Sequence, residues 1–218
     1  MSYDVLTTAI RGRASHRKFT ADPVPDEDVR RIVESGINAP SGHNRQPWRY
    51  IAIRDRTLLD RMAETALARQ RAEYDRLSPE VVKELSNFEF YLQHFRNAPL
   101  VLAVLVTRAT DPLVELYQER DPAFTRAEHY DTELLGVGAS IQNCLLAAHS
   151  LGYGSCWLTA PIYVAQKDLE QLLKVPDGFN LVSLIAIGRP TKERRPAPKK
   201  ALEELVEFRS EDDGALRR

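Results

Sequence analysis

The stretch from Leu100 to Val106, Leu-Val-Leu-Ala-Val-Leu-Val, is apolar at every position. Successive side chains of a β-strand point to opposite faces, so a strand with no polar face has to be covered on both. The stretch therefore predicts a central strand, and other parts of the chain have to cover it. With Ala98 and Pro99 the run spans 98–106, about half of the roughly 20 residues a membrane helix needs. The N-terminus, MSYDVLTTAIRGR, has no apolar signal core. The expectation is a soluble, cytoplasmic protein with no membrane partner.

A chain of 218 residues that is 43% apolar can bury one sizeable core, so 1–218 is read as a single domain. Thirty basic and 31 acidic side chains leave a net charge of −1, which argues against nucleic acid or an anionic membrane as the main partner. Any electrostatic argument has to come from local clusters. Cys144 and Cys156 lie in apolar stretches and read as small core residues rather than a disulfide framework.

Around the central strand the periodicities predict further elements. Residues 3–12 read as a short amphipathic helix. A second helix opens at Pro25 or Asp26, places Val29, Ile32, Val33 and Ile37 on one face, and ends near Gly36 and Pro40. Residues 48–54 alternate as a strand. The charged region 56–96 is helical with a break at Ser78–Pro79, where Ser78 can cap and Pro79 can occupy the first helical position. Residues 107–129 have no clean period and read as an irregular excursion.

Residues 131–151 form a helix apolar nearly all round, buried either centrally or against another subunit. A strand at 154–158, a helix near 165–173 and a strand at 181–188 follow. Prolines 190, 196 and 198 then favour an extended C-terminal arm over 189–218, fraying from Arg209 onward.

Common catalytic signatures are missing. GVGASI (136–141) and GYGSCW (152–157) do not complete a G-x-G-x-x-G turn, and the five histidines are scattered without metal-ligand spacing. Neither a Walker loop nor a G-x-S-x-G elbow is present.

Three stretches remain. In RASHRKF (13–19), Arg13, Ser15 and Arg17 alternate and would point one way from an extended segment, with His16 and Lys18 opposite. That pattern suits a phosphate, although a solvated basic helix end would look the same. In APSGHNRQPW (39–48), Ser41, Asn44 and Gln46 flank Gly42 and offer hydroxyl and amide groups to a flat heteroaromatic ring, or cap an ordinary turn. In GYGSCWLTAP (152–161), the strand end exposes the N–H groups of Thr159 and Ala160 ahead of Pro161.

Together these stretches resemble the FMN-dependent nitroreductase family. RASHRKF matches its R-x-S-x-R opening, APSGHNRQPW its A-P-S-x-x-N-x-Q-P-W stretch at every fixed position, and LGYGSCWL followed by IGRP its C-terminal half. The resemblance runs over roughly residues 7–206, with 70–129 outside any family-wide pattern.

It implies an α+β sandwich with a mixed, mostly antiparallel sheet among helices. It also implies an intertwined homodimer that exchanges its C-terminal arms and holds two FMN sites at its interface. Arg13, Ala14 and Ser15 would hold the phosphate and ribityl end, and Arg17 would reach the N1/O2 edge of the ring. Pro40, Ser41, Gly42, Asn44 and Gln46 would come from the other subunit. Trp157 and Leu158 would lead to a backbone N–H at Thr159 or Ala160 facing flavin N5, with no side chain acting as acid or base. Arg189 and Lys199 would close the phosphate site, with Lys200 as the alternative to Lys199. The family often has glycine where Thr159 stands, arginine where Lys199 stands and proline where Ala201 stands.

The implied reaction is ping-pong hydride transfer from NAD(P)H through FMN to a small aromatic oxidant of nitroaromatic or quinone type, with no metal. A lid drawn from 70–96 and 107–128 would control access and offers Tyr74, Phe88, Phe90, Tyr91, Phe95, Tyr117 and Phe124 as stacking groups, most of which read as packing residues. Three alternatives stand beside this reading: a reductive dehalogenase, an FMN-fragmenting relative, and a non-catalytic flavin store. Nucleic-acid binding through KERRPAPKK (192–200) ranks below them, because the patch is short and contains Glu193.

Overall fold

The computed structural model describes residues 2–107, 116–117, 119–121 and 131–209. Helices α1 (Tyr3–Gly12) and α2 (Asp26–Ile37) lead to strand β1 (Trp48–Ile53). Helices α3 (Arg56–Arg71) and α4 (Pro79–Gln93) precede β2 (Leu100–Thr107). Helix α5 (Thr132–Ser150), β3 (Gly154–Leu158), α6 (Ala160–Leu172) and β4 (Phe179–Gly188) complete the body. Most of the excursion at 107–129, and the tail expected to fray from Arg209 except Arg209 itself, lie outside the described residues.

The strands form one sheet in the order β1-β2-β4-β3, with β2 inside as its composition predicts. All three pairings are antiparallel, and the one parallel link among the described residues is an isolated bridge between Ser15 and Ser155. The expected mixed character of the sheet is thus confined to that bridge, because each pair of neighbouring strands runs in opposite directions.

Leu100 through Leu105 are fully buried. Leu100, Leu102 and Val104 face the layer of α2 and α5, while Val101, Ala103 and Leu105 face that of α3 and α6. Alternation in β1 works the same way, with Trp48 and Tyr50 on the first side and Ile51 and Ile53 on the other. Two apolar layers around one sheet make the α+β sandwich.

On the first side α2 crosses α5 at Gly36, where an added Cβ would sit 2.5 Å from the Cys144 sulfur and 3.0 Å from the Tyr50 hydroxyl. That contact carries a polar knot: Ser140 donates to the Gly36 carbonyl at 2.7 Å, and its hydroxyl lies 2.6 Å from that of Tyr50. Burial pushes the Cys144 thiol up to about 11, so it remains a protonated core group. Cys156 is buried as well.

On the second side, Phe95 is in the core rather than available for stacking. Gln70 donates to the Leu85 carbonyl and the Tyr74 hydroxyl, each at 2.9 Å, which ties the turn after α3 to α4. Residues 70–93 are thus tied to α3, with Gln70 and Leu92 buried and most of the other side chains exposed. Ser78 holds the N-cap position of α4 without capping it, and its hydroxyl bonds the Glu80 side chain instead.

Helix α6 begins at Ala160, five residues before the predicted start. Pro161 sits in its first turn, where a missing N–H costs nothing. Ala165 has non-helical backbone angles at the kink, where the sequence pattern first becomes regular.

Candidate active site

The segment 14–20 crosses from the edge of the sheet to its end. The His16 N–H donates to the Ser155 carbonyl at 2.9 Å, and the Thr20 N–H to the Arg189 carbonyl at 2.9 Å. Between these anchors the side chains alternate as the sequence predicts. His16 turns inward over Gly154, where a Cβ would come within 2.7 Å of its ring, and its Nδ1–H donates to the Ala14 carbonyl at 3.0 Å. Burial lowers the His16 pKa, so the ring packs there uncharged. Burial pushes the Cys156 thiol up, and the charges of Arg17, Arg13 and Arg194 act against that rise.

Arg17 stands between two clefts. The wider, of about 530 Å³, is lined by His16, Arg17, Lys18, Phe90, Tyr91 and residues 191–194. The narrower, of about 200 Å³, runs from Arg17, Tyr91 and His94 along Cys156 and Trp157 to Thr159 and Ala160. Arg17 and Tyr91 line both, and the guanidinium lies 5.7 Å from the Tyr91 ring centre. The Arg17 Nε is buried and has no hydrogen-bond partner. A buried donor left unpaired costs about 1–3 kcal/mol, so this atom is poised for a ligand acceptor.

Opposite Arg17 the narrower cleft ends on the N-terminus of α6. Thr159 holds the N-cap position without a side-chain cap bond, which leaves the Ala160 N–H with no partner in its own helix. The positive end of the helix dipole adds to the field of Arg17. His94 closes the cleft from the α4 side; it is 3% exposed, and its Nδ1 is buried and unpartnered. Burial pushes its pKa down to about 4, with the Arg17 charge acting in the same direction.

The second predicted group is held elsewhere in the chain. Residues 40–46 pack against the start of α5, where Gly136 allows the Pro40 carbonyl within 3.3 Å of an added Cβ, and Arg45 pairs with Glu133 at 3.0 Å. The Ser41 hydroxyl accepts from the Gln46 N–H at 3.0 Å. His43, Asn44 and Gln46 all have positive φ, of 51°, 54° and 48°. Such backbone costs on the order of 1–3 kcal/mol per residue and clusters at functional sites. Neither cleft beside Arg17 is lined by any of residues 40–46.

Of the predicted tail residues, Arg189 lies over the Tyr153 ring at 5.2 Å, and Lys199 is exposed. Arg194 stands beside the opening segment instead, donating to the Ser15 carbonyl at 3.4 Å. Sequence reasoning assigned no site role to Arg194, Lys192, Lys18, His16 or His94, although it placed His16 and Lys18 opposite Arg17 and noted the basic patch at 192–200. The basic pair at 194–195 was the available signal for Arg194. His94 had none, since only the packing of α4 brings it to Arg17.

The sequence pattern of the nitroreductase family matches residues 10–189. A protein of Archaeoglobus fulgidus, provisionally named an NADH dehydrogenase/NAD(P)H nitroreductase, is 30% identical over 183 residues, or 84% of this chain and 83% of that one. The 5,6-dimethylbenzimidazole synthase of Rhodospirillum rubrum is 29% identical over 196 residues, or 90% and 86% of the two chains. A BluB-like flavoprotein from Clostridium difficile 630 has the same fold, with a TM-score of 0.84 at 26% identity over 94% of this chain and 99% of that one.

Proposed function

The chain belongs to the nitroreductase family and is an oxidoreductase, and on that premise we propose that it is an FMN-dependent enzyme that takes hydride from NAD(P)H and reduces a small aromatic oxidant. The carrying observation is the unpaired, buried Arg17 Nε facing the uncapped N-terminus of α6 across one cleft. A flat ring with acceptor atoms on two edges satisfies both ends at once. FMN, when bound, supplies the hydride-accepting and electron-donating chemistry.

The chain's own residues bind and orient. Arg13 and Ser15 would hold the phosphate and ribityl end, Arg17 would hold the N1/O2 edge and favour negative charge there, and the N–H of Thr159 or Ala160 would serve N5. The arrangement requires no side-chain acid or base.

The site is completed by a second copy. One chain leaves Tyr3, Leu6 and Ile10 of α1, Leu134 and Leu135 of α5, and Leu202, Leu205 and Phe208 of the arm exposed. So much apolar surface favours a homodimer. Its partner would bring Pro40, Ser41, Asn44 and Gln46 to the ring, which accounts for their separation from Arg17 within one chain. Among the described residues no helix is long and apolar enough to cross a membrane.

The test is an absorbance spectrum of the purified protein before and after anaerobic NADH or NADPH. Flavin bands at about 370 and 450 nm that bleach with a nicotinamide support the reading. Bound flavin that neither nicotinamide bleaches refutes it. The likeness to a 5,6-dimethylbenzimidazole synthase supports a second reading, FMN breakdown. It predicts release of 5,6-dimethylbenzimidazole from reduced FMN in air, detectable by mass spectrometry.

A further inference from the structure

We propose that Lys18, Lys192 and Arg194, with Phe90 and Tyr91, form a subsite for the 2′-phosphorylated adenosine end of the reductant, so that the enzyme selects NADPH over NADH. This rests on the flavin-reductase reading above.

The observation behind it is uncompensated charge. In a chain of net charge −1, Arg17, Lys18, Lys192 and Arg194 line the wider cleft, and among the described residues none of them is in an ion pair. Several arginines elsewhere are neutralised: Arg54 by Asp26, Arg71 by Glu89, and Arg96 by Asp60 and Glu64. Glu193 lies on the same rim and pairs with none of the four. Like charges held this close repel unless an anion joins them.

FMN does not account for the whole cluster. On the assignment above, its single phosphate would take Arg13 and Ser15, and its ring would take Arg17. Lys18, Lys192 and Arg194 remain, lining the wider cleft away from the α6 terminus. A phosphate monoester brings about −1.5 to −2 charges at neutral pH and three acceptor oxygens, which suits a guanidinium and two ammonium groups.

The same cleft is walled by Phe90 and Tyr91, whose rings are 44% and 41% exposed and meet edge to face at 5.5 Å. Phe90 stacks on His94 and Arg17 lies over Tyr91, and the ring surface left exposed suits a purine. Arg17 and Tyr91 line both clefts, so the basic rim adjoins the cleft assigned to the flavin ring, on which the nicotinamide has to stack. NADH would stack there without using the rim, because it lacks the 2′-phosphate.

The test is calorimetric titration of the FMN-loaded protein with 2′,5′-ADP and with 5′-AMP, which differ only in the 2′-phosphate. The expected result is that 2′,5′-ADP binds about tenfold more tightly or better, as charge-assisted contacts allow. The double variant Lys18→Ala/Lys192→Ala should bring the two ligands level while keeping its flavin and its rate of bleaching by NADH. Equal affinities in the unaltered protein overturn the proposal. So does a double variant that loses flavin, since the rim would then serve the cofactor phosphate. If the protein binds no flavin, the flavin reading fails by itself, and the same titration on the flavin-free protein still decides the subsite.

Discussion

The layer formed by α3 and α4 and the rim around Arg17 are both rich in arginine, yet they use it in opposite ways. In the helical layer Arg71 is held by Glu89 at 2.8 Å, and Arg96 by Asp60 and Glu64, each at 2.8 Å. At the rim Arg17 and Arg194 are in no ion pair among the described residues, although Glu193 lines the same cleft. The two sets look alike in sequence. Charge that the fold has already neutralised belongs to the scaffold, whereas unpaired charge lining a cleft is what a ligand can use. The turn His94–Asn97 joins the two regions, with His94 on the cleft and Arg96 in the paired layer.

The contrast breaks first at the rim. Replacing Arg13 and Arg17 together by alanine should weaken FMN binding by about a hundredfold or more, since two charge-assisted contacts are lost. Flavin-free stability in urea should stay as it was; a large loss of stability with full retention of yellow colour would show the rim to be scaffold.

His94 gives the next largest effect. The folded protein takes up the His94 proton near pH 4 and the unfolded chain near the ordinary histidine value of 6.5. Stability is therefore complete above about 6.5, falls as pH drops through that window, and levels off below about 4, a loss on the order of 3 kcal/mol. His94→Phe keeps the stacking on Phe90 and should flatten that part of the pH profile in urea melts, whereas an unchanged slope would locate the titration elsewhere.

Gly154→Ala sharpens the comparison from the packing side. Its Cβ would come within 2.7 Å of the His16 ring and push the opening segment off β3. A cost of about 1–3 kcal/mol is expected, accompanied by weaker flavin binding, because Arg13 and Arg17 move with that segment. Arg96→Ala should cost least, about 1 kcal/mol or below, as its carboxylates are partly exposed. Flavin content should not change, and any loss of it would blur the line between the two regions.

Much of this was legible along the chain. The apolar run at 100–106 placed β2 inside the sheet, alternation at 48–53 assigned its two faces, and helices 3–12 and 132–150 appeared within a residue or two of their predicted bounds. The start of α6 was not, because Pro161 reads as a loop exit until the helix is seen to tolerate it in its first turn. The extended geometry of 13–17 was foreseen with His16 and Arg17 on opposite sides, and the strained loop 40–46 was singled out without its strain. For α1 and the outer face of α5, amphipathic pattern predicted burial that a single chain does not provide.

What the sequence determined by itself is what local periodicity and residue chemistry encode: a strand needing cover on both faces, the helices able to give it, and three stretches rich in cations, amides and free backbone donors. Only the tertiary structure decided which arginines are spent. Ion pairing depends on the approach of groups far apart in the chain, as with Arg96 and Asp60, and no period records that distance. The same holds for Arg194, brought to Ser15 across nearly the whole chain, and for His94, made neutral and unpartnered by its burial beside Arg17.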